Sequence, residues 1–353
     1  MKILLVILFI SSAWLQFSFL TKTKKEDRAS LIGTPIRFVV PKGFPQPVYQ
    51  FKNNTLTKEG FELGRFLFYD GKLSRDGNFP CASCHQQFAA FATFEHRLSH
   101  GYNNQFSYRN APGLFNVAWE KELHWDGGIN HIEIQPLAPI TNPHEMAEDL
   151  DDIIRKLKKD STYHKLFKAA YGDPGINSQR ILRALAQFTA SLVSANSKYD
   201  RVMRGEDSFS SYEQPGYQIF QQKCSSCHRE PLFTDLSYRN TGISVDSALL
   251  DYGRMRITGN KTDSLKFKVP SLRNVFLTGP YGHDGRFPTI SSMLDHYNSG
   301  VINSLTLDPL LKHGIPLSND DKFYLIAFLG TLTDTSFVND KRFSAPESVG
   351  EVK

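Results

Sequence analysis

The sequence predicts a mainly α-helical protein made of two related domains. Segments in which apolar residues recur at helical spacing are common, whereas continuous strand patterns are scarce. A five-residue pattern also occurs twice, as CASCH at 81–85 and CSSCH at 224–228, and we call these the first and second pentapeptides. A helical pattern precedes each of them, over residues 57–70 and 210–223. This duplication favours two domains of one kind over a single large fold.

Each pentapeptide is followed by an Arg-Asn pair and then by an Asp-Gly pair. The Arg-Asn pairs are at 109–110 and 273–274, and the Asp-Gly pairs are at 126–127 and 284–285. The spacing of these pairs differs between the two halves, but their repeated order agrees with a duplicated domain. Further helices are expected over residues 148–159, 178–193 and 317–334. At the start of the last of these, Ser318 and Asp321 have the spacing of a capping box.

The composition is that of an ordinary globular protein. With 353 residues, 40% of them hydrophobic and 22% charged, the chain is long enough for two domains with cores of their own. The formal net charge of +5 is small for this length, and acidic and basic residues are well mixed. No nucleic-acid partner is therefore predicted.

The N-terminal residues differ from the rest of the chain. A short basic start, Met1-Lys2, is followed by the apolar run 3–20 and then by the polar stretch TKTKKEDR. This order is typical of an export signal, although the run lacks a clear cleavage site and is close to the roughly 20 residues that span a bilayer. Residues 1–25 are therefore predicted to be a signal peptide or an N-terminal anchor, and the predicted location is the periplasm.

All four cysteines lie in the two pentapeptides, in Cys-x-x-Cys pairs that a histidine follows directly. In an exported protein they could form two disulfides, but a disulfide has no use for the adjacent histidine. A zinc site would tolerate that histidine without requiring it. Covalent haem explains all three residues, because the thiols bond to the haem vinyl groups and the histidine binds iron. The sequence therefore predicts two c-type haems, attached through Cys81, Cys84, Cys224 and Cys227, with His85 and His228 as iron ligands.

Several longer motifs extend this pattern to a known family. In order, they are RNAPGLFN (109–116), HWDGG (124–128), PLAPITNPHEM (136–146), VPSLRNVFLTGPYGHDGRF (269–287) and LDHYNSG (294–300). With the two pentapeptides they resemble the bacterial di-haem cytochrome c peroxidases and the MauG-type enzymes, over about residues 50–335. The resemblance implies two cytochrome c-like haem domains packed against each other.

The expected domain boundaries follow from these motifs. An N-terminal, peroxidatic haem domain is expected over residues 50–200, and a C-terminal, electron-transfer haem domain over residues 205–335. Residues 336–353 are expected to form a polar tail.

The resemblance also implies roles for residues around the first haem. The haem on His85 is expected to react with peroxide, and Glu145 matches the carboxylate that moves a proton between the two peroxide oxygens. Trp125 matches a tryptophan that lies between the haems and relays electrons. His100 is placed where relatives have a histidine that can occupy the open iron position. It is therefore a candidate for a ligand or gating role, with an ordinary loop histidine as the alternative.

A calcium ion between the domains is a further expectation from the resemblance. Asn110 and the backbone carbonyls of Thr278 and Pro280 match the family's calcium ligands. Such oxygen ligands suit a hard cation.

The sixth ligand of the second haem has three candidates. Tyr297 is preferred, because MauG-type enzymes have a tyrosine at this position, whereas peroxidases with a high-potential second haem have a methionine there. Met293, four residues earlier, and His296 remain alternatives. His283 is expected to pack or hydrogen-bond near this haem and is assigned no ligand role.

The function that these expectations imply is reduction of hydrogen peroxide to water, with electrons from a small redox protein such as a cytochrome c or a cupredoxin. A MauG-type oxidase that modifies a partner protein is the first alternative. A non-enzymatic di-haem electron carrier is the second. The resemblance is also compatible with a homodimer, although no interface can be identified in the sequence.

Overall fold

The computed structural model describes residues 32–347, and the structural statements below refer to them. The segment 1–25, predicted to be a signal peptide or anchor, lies outside this range. The fold is mainly α-helical with one small two-stranded sheet, which confirms the predicted fold class. Within residues 32–347, no helix combines the length and the apolar character that crossing a bilayer requires.

Short helices alternate with long connecting loops. The helices are α1 (Lys58–Tyr69), α2 (Cys81–Cys84), α3 (Leu137–Thr141), α4 (Leu150–Lys158), α5 (Ser161–Tyr171), α6 (Ser178–Ala190), α7 (Lys198–Met203), α8 (Glu213–Lys223), α9 (Met255–Thr258), α10 (Ile290–Asp295), α11 (Asn319–Gly330) and α12 (Thr335–Val338). A π-helical turn, His296–Gly300, follows α10. Strands β1 (Tyr238–Arg239) and β2 (Phe267–Lys268) pair antiparallel.

Two hydrophobic clusters form the core. The first cluster is formed mainly by buried side chains between Phe51 and Leu192, and the second by buried side chains between Tyr199 and Leu332. The change of cluster falls close to the expected boundary between the domains 50–200 and 205–335. Since residues from Ile32 onward nevertheless form one compact unit, the division into two domains stays a prediction.

The segment that follows residue 335 packs on the first cluster. Phe337 and Phe343 are buried within it, and the backbone carbonyl of Phe343 accepts a hydrogen bond of 2.7 Å from the Tyr69 hydroxyl. A polar tail was expected over residues 336–353, but these two aromatic side chains contribute to the core. The end of the described chain thus closes over helix α1 of the first half.

Each cluster contains one close helix crossing that depends on glycine. In the first, α1 crosses α6 at Gly64, where a Cβ atom would overlap the carbonyl oxygen of Ala184. In the second, α8 crosses α11 at Gly216, where a Cβ atom would overlap the carbonyl oxygen of Tyr324. Since only glycine lacks a Cβ, both halves use the same device to bring two helices together.

The duplication extends to the loops, with one change of register. Asn116 and Asn274 are counterparts: they have φ angles of 60° and 57°, and their backbone N–H groups donate to the carbonyls of Leu192 and Leu332 at 2.8 and 3.0 Å. The Arg-Asn echo in the sequence had aligned Asn274 with Asn110 instead, and that register is wrong. The Asp-Gly echo is confirmed, because loops 123–129 and 281–287 are each closed by an antiparallel bridge between their ends.

A buried ion pair joins distant parts of the chain. Arg273 is fully buried and donates to both carboxylate oxygens of Asp200, at 2.9 and 2.8 Å. Its Nε also donates to the carbonyl of Pro231, at 2.8 Å. Asp200 completes the capping box of α7 with Ser197. Each of the three guanidinium nitrogens of Arg273 thus donates a hydrogen bond, two of them to one carboxylate and one to a carbonyl.

We expect Arg273→Met to lower the free energy of unfolding by about 3–5 kcal/mol, because it leaves Asp200 buried without its counter-charge. Urea denaturation measures this change. The matched control is Arg180→Met, which removes an Arg–Asp pair of the same bidentate geometry, with Asp173, from the protein surface. The control should have little effect, because exposed ion pairs contribute little to stability. Equal losses in the two variants would contradict this account.

Candidate functional site

One cavity of about 720 Å³ is lined by residues of both pentapeptides. It is also lined by every site residue that the sequence predicted: Cys81, Cys84, His85, His100, Asn110, Trp125, Glu145, Cys224, Cys227, His228, Thr278, Pro280 and Tyr297. Met293, an alternative ligand for the second haem, lines the cavity, and His296 does not. The fold therefore brings these residues together, while their individual roles stay predictions.

The first pentapeptide holds its histidine by a backbone hydrogen bond. Helix α2 ends at Cys84, and the N–H of His85 donates to the carbonyl of Cys81 at 3.0 Å. The ring Nδ1 of His85 lies 2.8 Å from the carbonyl oxygen of Phe91. A carbonyl oxygen only accepts, so Nδ1 has to carry the proton. The lone pair of Nε2 is then left free for a metal, which is the arrangement of most metal-binding histidines.

The second pentapeptide repeats this arrangement. The ring Nδ1 of His228 lies 3.2 Å from the carbonyl oxygens of both Phe233 and Pro270. Burial lowers the pKa of His228 and of His85, which keeps both rings neutral, as metal ligation requires. The two histidines are thus presented to the cavity in the same tautomer.

The cysteines fit thioether bonds to haem. All four have free thiols, so the structure contains neither of the two disulfides that the sequence left open. Burial raises the pKa of Cys81 and of Cys224 to about 12, and the second thiol of each pair adds to the rise. Reduced thiols beside a large cavity are what attachment of haem through thioether bonds requires.

A zinc site fits the structure less well than haem. Within residues 32–347, the only group of three or more His, Cys, Asp or Glu side chains with ligand atoms within 4.8 Å of one another is Glu148, Asp149 and Asp152. Neither pentapeptide contributes to that group. The thiols and the imidazole of each pentapeptide are therefore not gathered around one point, as tetrahedral zinc ligation would need.

Glu145 is held at the wall of the cavity by its neighbours. The Asn142 Nδ2 donates to its Oε1 at 2.7 Å, and its backbone carbonyl accepts a bond of 2.6 Å from the Tyr102 N–H. Gly101 permits this close approach, since a Cβ atom there would overlap the backbone of residues 144 and 145. Burial raises the pKa of the Glu145 carboxyl, and the bond from Asn142 opposes the rise. The carboxyl therefore titrates closer to neutrality than an exposed one does.

His100 lies in the loop that contacts Glu145. The loop is closed by an antiparallel bridge between His100 and Phe106, whose ring centroids are 4.4 Å apart. The Nδ1 of His100 lies 3.0 Å from the Oδ1 of Asn104. His100 lies at the cavity wall, as the predicted ligand or gating role requires. Its side chain makes no hydrogen bond to the side chain of Glu145 in the described residues.

Trp125 stands where the two halves of the chain meet. Its indole N–H donates to the carbonyl of Asn110 at 2.9 Å, and its own carbonyl accepts a bond of 2.7 Å from the N–H of Lys268 in β2. His283 is its counterpart in loop 281–287, and the carbonyl of His283 accepts from the Asn110 N–H at 2.9 Å. Each loop is thus anchored by a backbone donor from the other half.

The three predicted calcium ligands all border this junction. Asn110 bonds through its backbone to His283, three residues after Pro280, and its side-chain Nδ2 donates to the carbonyl of Arg97 at 3.2 Å. The amide oxygen of Asn110 is the atom that would face a cation. Oxygen donors of this kind fit calcium, and a calcium site there stays a prediction.

Tyr297 lies in the π-helical turn His296–Gly300, a feature that is often found at functional sites. Burial raises the pKa of its phenol, as expected for a group enclosed beside the second pentapeptide. The ring of the preceding His296 is engaged elsewhere, because its Nε2 lies 2.9 Å from the carbonyl oxygen of Thr241. The structure therefore favours Tyr297 and Met293 over His296 as candidates for the sixth ligand.

His283 packs as the sequence predicted. Its ring stacks on Phe267, with centroids 3.6 Å apart and an interplanar angle of 11°. Burial lowers the pKa of His283 to about 4, so the ring is neutral. The residue fills the wall between the two halves.

Sequence reasoning missed Arg109, which lines the cavity and binds two buried acids. Its guanidinium donates to Asp126 at 2.6 Å and to both oxygens of Asp251, at 2.6 and 2.9 Å. Arg109 belongs to the Arg-Asn pair that the sequence analysis singled out, and this was the one sequence signal that pointed to it. Nothing local pointed to Asp251, because this partner is 142 positions away in the sequence.

Comparisons with known proteins agree with these findings. A family model described as di-haem cytochrome c peroxidase matches residues 58–208. Methylamine utilization protein MauG of Methylophilus methylotrophus is 34% identical over 306 residues, which cover 84% of this chain and 88% of that protein. Cytochrome c551 peroxidase of Nitrosomonas europaea is 32% identical over 276 residues, which cover 77% and 79%.

Solved structures show the same fold. A MauG-like protein associated with microbial copper homeostasis has a TM-score of 0.80 at 31% identity, covering 88% of this chain and 99% of that chain. The diheme peroxidase BthA from Burkholderia thailandensis, at 22% identity and a TM-score of 0.70, supports the fold alone. Given this coverage and identity, the chain belongs to the di-haem cytochrome c peroxidase and MauG family of haem-containing oxidoreductases.

Proposed function

We propose that this protein reduces hydrogen peroxide to two waters at the first haem, using two protons and two electrons from a small redox protein such as a cytochrome c or a cupredoxin. The observation that carries the proposal is the single cavity that both pentapeptides, Glu145 and Trp125 line together. Haems held by the four cysteines and by His85 and His228 would supply the iron chemistry for electron exchange and for cleavage of the O–O bond.

Glu145 is the proposed acid–base group. Its carboxylate accepts the proton from the oxygen of peroxide nearer the iron and returns it to the oxygen that leaves as water. The hydrogen bond from Asn142 fixes which carboxylate oxygen is free for this transfer. The pKa of Glu145, raised by burial, brings the group nearer to the operating pH, where proton transfer in both directions is efficient.

Trp125 and His100 are assigned supporting roles. The indole N–H of Trp125 donates to Asn110, and its backbone carbonyl accepts from Lys268 in the other half, so the residue is fixed between the halves, which suits an electron relay between the haems. His100 is proposed as a ligand or gate of the first haem. Because its loop is tied to Glu145 through Tyr102, opening the iron for peroxide would also adjust the carboxylate.

Tyr297 is the proposed sixth ligand of the second haem, with Met293 as the alternative. A phenolate is a hard, anionic donor that stabilises ferric iron, whereas a thioether favours ferrous iron and raises the potential. Tyr297 would therefore lower the potential of this haem and help it share oxidising equivalents with the first.

The remaining parts of the proposal concern metal, location and assembly. Calcium held by Asn110, Thr278 and Pro280 would stiffen the junction between the halves. The apolar run at residues 3–20 and the pentapeptides agree with a periplasmic location. A homodimer, with which the resemblance is compatible, is the expected oligomeric state.

A MauG-type oxidase that modifies a partner protein is the second candidate. Tyr297 and the 34% identity to a MauG protein favour it. Membership of a family whose relatives are named as peroxidases argues against the non-enzymatic carrier. Rapid peroxide-dependent oxidation of small donors would favour the peroxidase over the MauG-type enzyme.

We expect Glu145→Gln to lower kcat for peroxide-driven oxidation of reduced cytochrome c by about 10²–10⁴-fold, the usual contribution of a general acid–base group. In the wild type, kcat/KM should fall as the pH is lowered through the raised pKa of Glu145, because protonation removes the base. This acidic limb should be missing in the variant.

The control for this experiment is Glu95→Gln, which alters an exposed glutamate outside the cavity. It should react like the wild type. Equal turnover by Glu145→Gln and the wild type would remove Glu145 from the mechanism. A wild type that does not oxidise any small donor with peroxide would overturn the proposed peroxidase function.

Tyr297→Phe should change the ferric optical and EPR spectra of the second haem, because it removes the oxygen donor while keeping the ring. Met293→Leu, at the same cavity wall, should leave these spectra as in the wild type. The opposite pattern, a methionine–iron charge-transfer band that is lost in Met293→Leu and survives in Tyr297→Phe, would show that Met293 is the ligand.

A further inference from the structure

Tyr238, in β1, has a buried hydroxyl that no hydrogen bond of good geometry satisfies within residues 32–347. Leaving a buried polar group unpaired costs about 1–3 kcal/mol. A phenylalanine would fill the same space without that cost. Packing alone therefore does not explain why a tyrosine stands at this position.

The hydroxyl lies directly behind the Trp125 loop. A Cβ atom on Gly127 would overlap the Tyr238 oxygen, so the phenol occupies the place that a side chain two residues after Trp125 would take. The backbone leads to the same point, because Tyr238 is paired with Lys268, whose N–H donates to the Trp125 carbonyl at 2.7 Å. Arg239, the next residue of β1, lines the haem cavity. Tyr238 thus lies against the Trp125 loop and next to a residue of the cavity wall.

Two charged groups flank the phenol. The Arg254 guanidinium lies over the Tyr238 ring, with its Cζ 3.8 Å from the centroid. Arg254 also donates to the carbonyl of Asp126 at 3.1 Å and forms an ion pair of 3.2 Å with Glu122. Burial raises the pKa of Tyr238, and the neighbouring Glu122 carboxylate, which is within reach of the phenol, raises it further. The side chain of Glu122 is 38% exposed, so it connects the phenol to solvent.

We propose that Tyr238 is a second aromatic relay that follows Trp125 and gives an electron to the haem site when no external donor is present. This inference rests on the proposed function, because peroxide is the oxidant. Peroxide reduction takes two electrons and two protons and yields two waters. Tyr238 supplies one of these electrons through Trp125 and becomes a neutral phenoxyl radical.

The second electron would come from ferrous iron in a protein that has been partly reduced beforehand. The proton released by the Tyr238 phenol goes to the Glu122 carboxylate, which becomes a carboxylic acid.

The surroundings favour loss of the electron and the proton together. A guanidinium over the ring disfavours a positively charged ring, so an electron cannot leave Tyr238 easily while the phenol keeps its proton. The Glu122 carboxylate is the acceptor that makes the neutral product accessible. Trp125 has no such acid at its indole, because its N–H is bonded to the Asn110 carbonyl.

The test is freeze-quenched EPR of the di-haem protein after addition of hydrogen peroxide without an external donor. A tyrosyl radical is expected in the wild type and should be lost in Tyr238→Phe. This variant should fold, because the hydroxyl that it removes makes no hydrogen bond of good geometry. Glu122→Gln should lower the radical yield, because it removes the proton acceptor and keeps the tyrosine. Peptide mass spectrometry after spin trapping should place the adduct on Tyr238.

The matched control is Tyr212→Phe, which alters an exposed tyrosine packed on Phe323 in the second half. It should keep the radical. An undiminished signal in Tyr238→Phe, or the absence of a radical from a wild type that consumes peroxide, would overturn the relay and leave the proposed function standing. A wild type that does not consume peroxide would contradict both.

Discussion

The site depends on one kind of hydrogen bond, from the Nδ1 of a pentapeptide histidine to a backbone carbonyl. His85 makes it to Phe91, and His228 makes it to Phe233 and Pro270. Because the acceptor is backbone, the tautomer and the ring orientation follow from the fold and not from a replaceable side chain. Both Nε2 atoms are thereby left free beside the same cavity, and the proposed ligation of iron by His85 and His228 follows from this.

The two halves of the chain share one backbone arrangement but carry different side chains at equivalent positions. Loops 123–129 and 281–287 share one conformation, yet one holds Trp125 at the junction and the other holds His283. The half that contains Glu145 offers a carboxyl to the cavity, whereas the other half offers a phenol from the π-helical turn. This asymmetry on a symmetric frame suits one haem that reacts and one that exchanges electrons. Function therefore lies in the few positions where the two halves differ.

The sequence predicted what depends on local chemistry. The pentapeptides, the mainly helical class and the capping box of Ser318 and Asp321 were all readable from short patterns. Long-range packing was not. The glycine crossings need a partner helix that the sequence does not identify, and the match of Asn274 with Asn116 depends on carbonyls 58 to 76 positions away. Phe337 and Phe343 are buried, but the residues around them are polar, so the sequence of segment 336–353 predicted an exposed tail. Asp251, the partner of Arg109, lies in the other half of the chain.

The central claim is that both pentapeptides bind haem covalently. The most direct measurement is the intact mass of the denatured protein after expression in a host that matures c-type cytochromes. The account predicts the mass of the polypeptide plus two haems, and the loss of one haem when Cys224 and Cys227 are both changed to alanine. A mass equal to the polypeptide alone would contradict it.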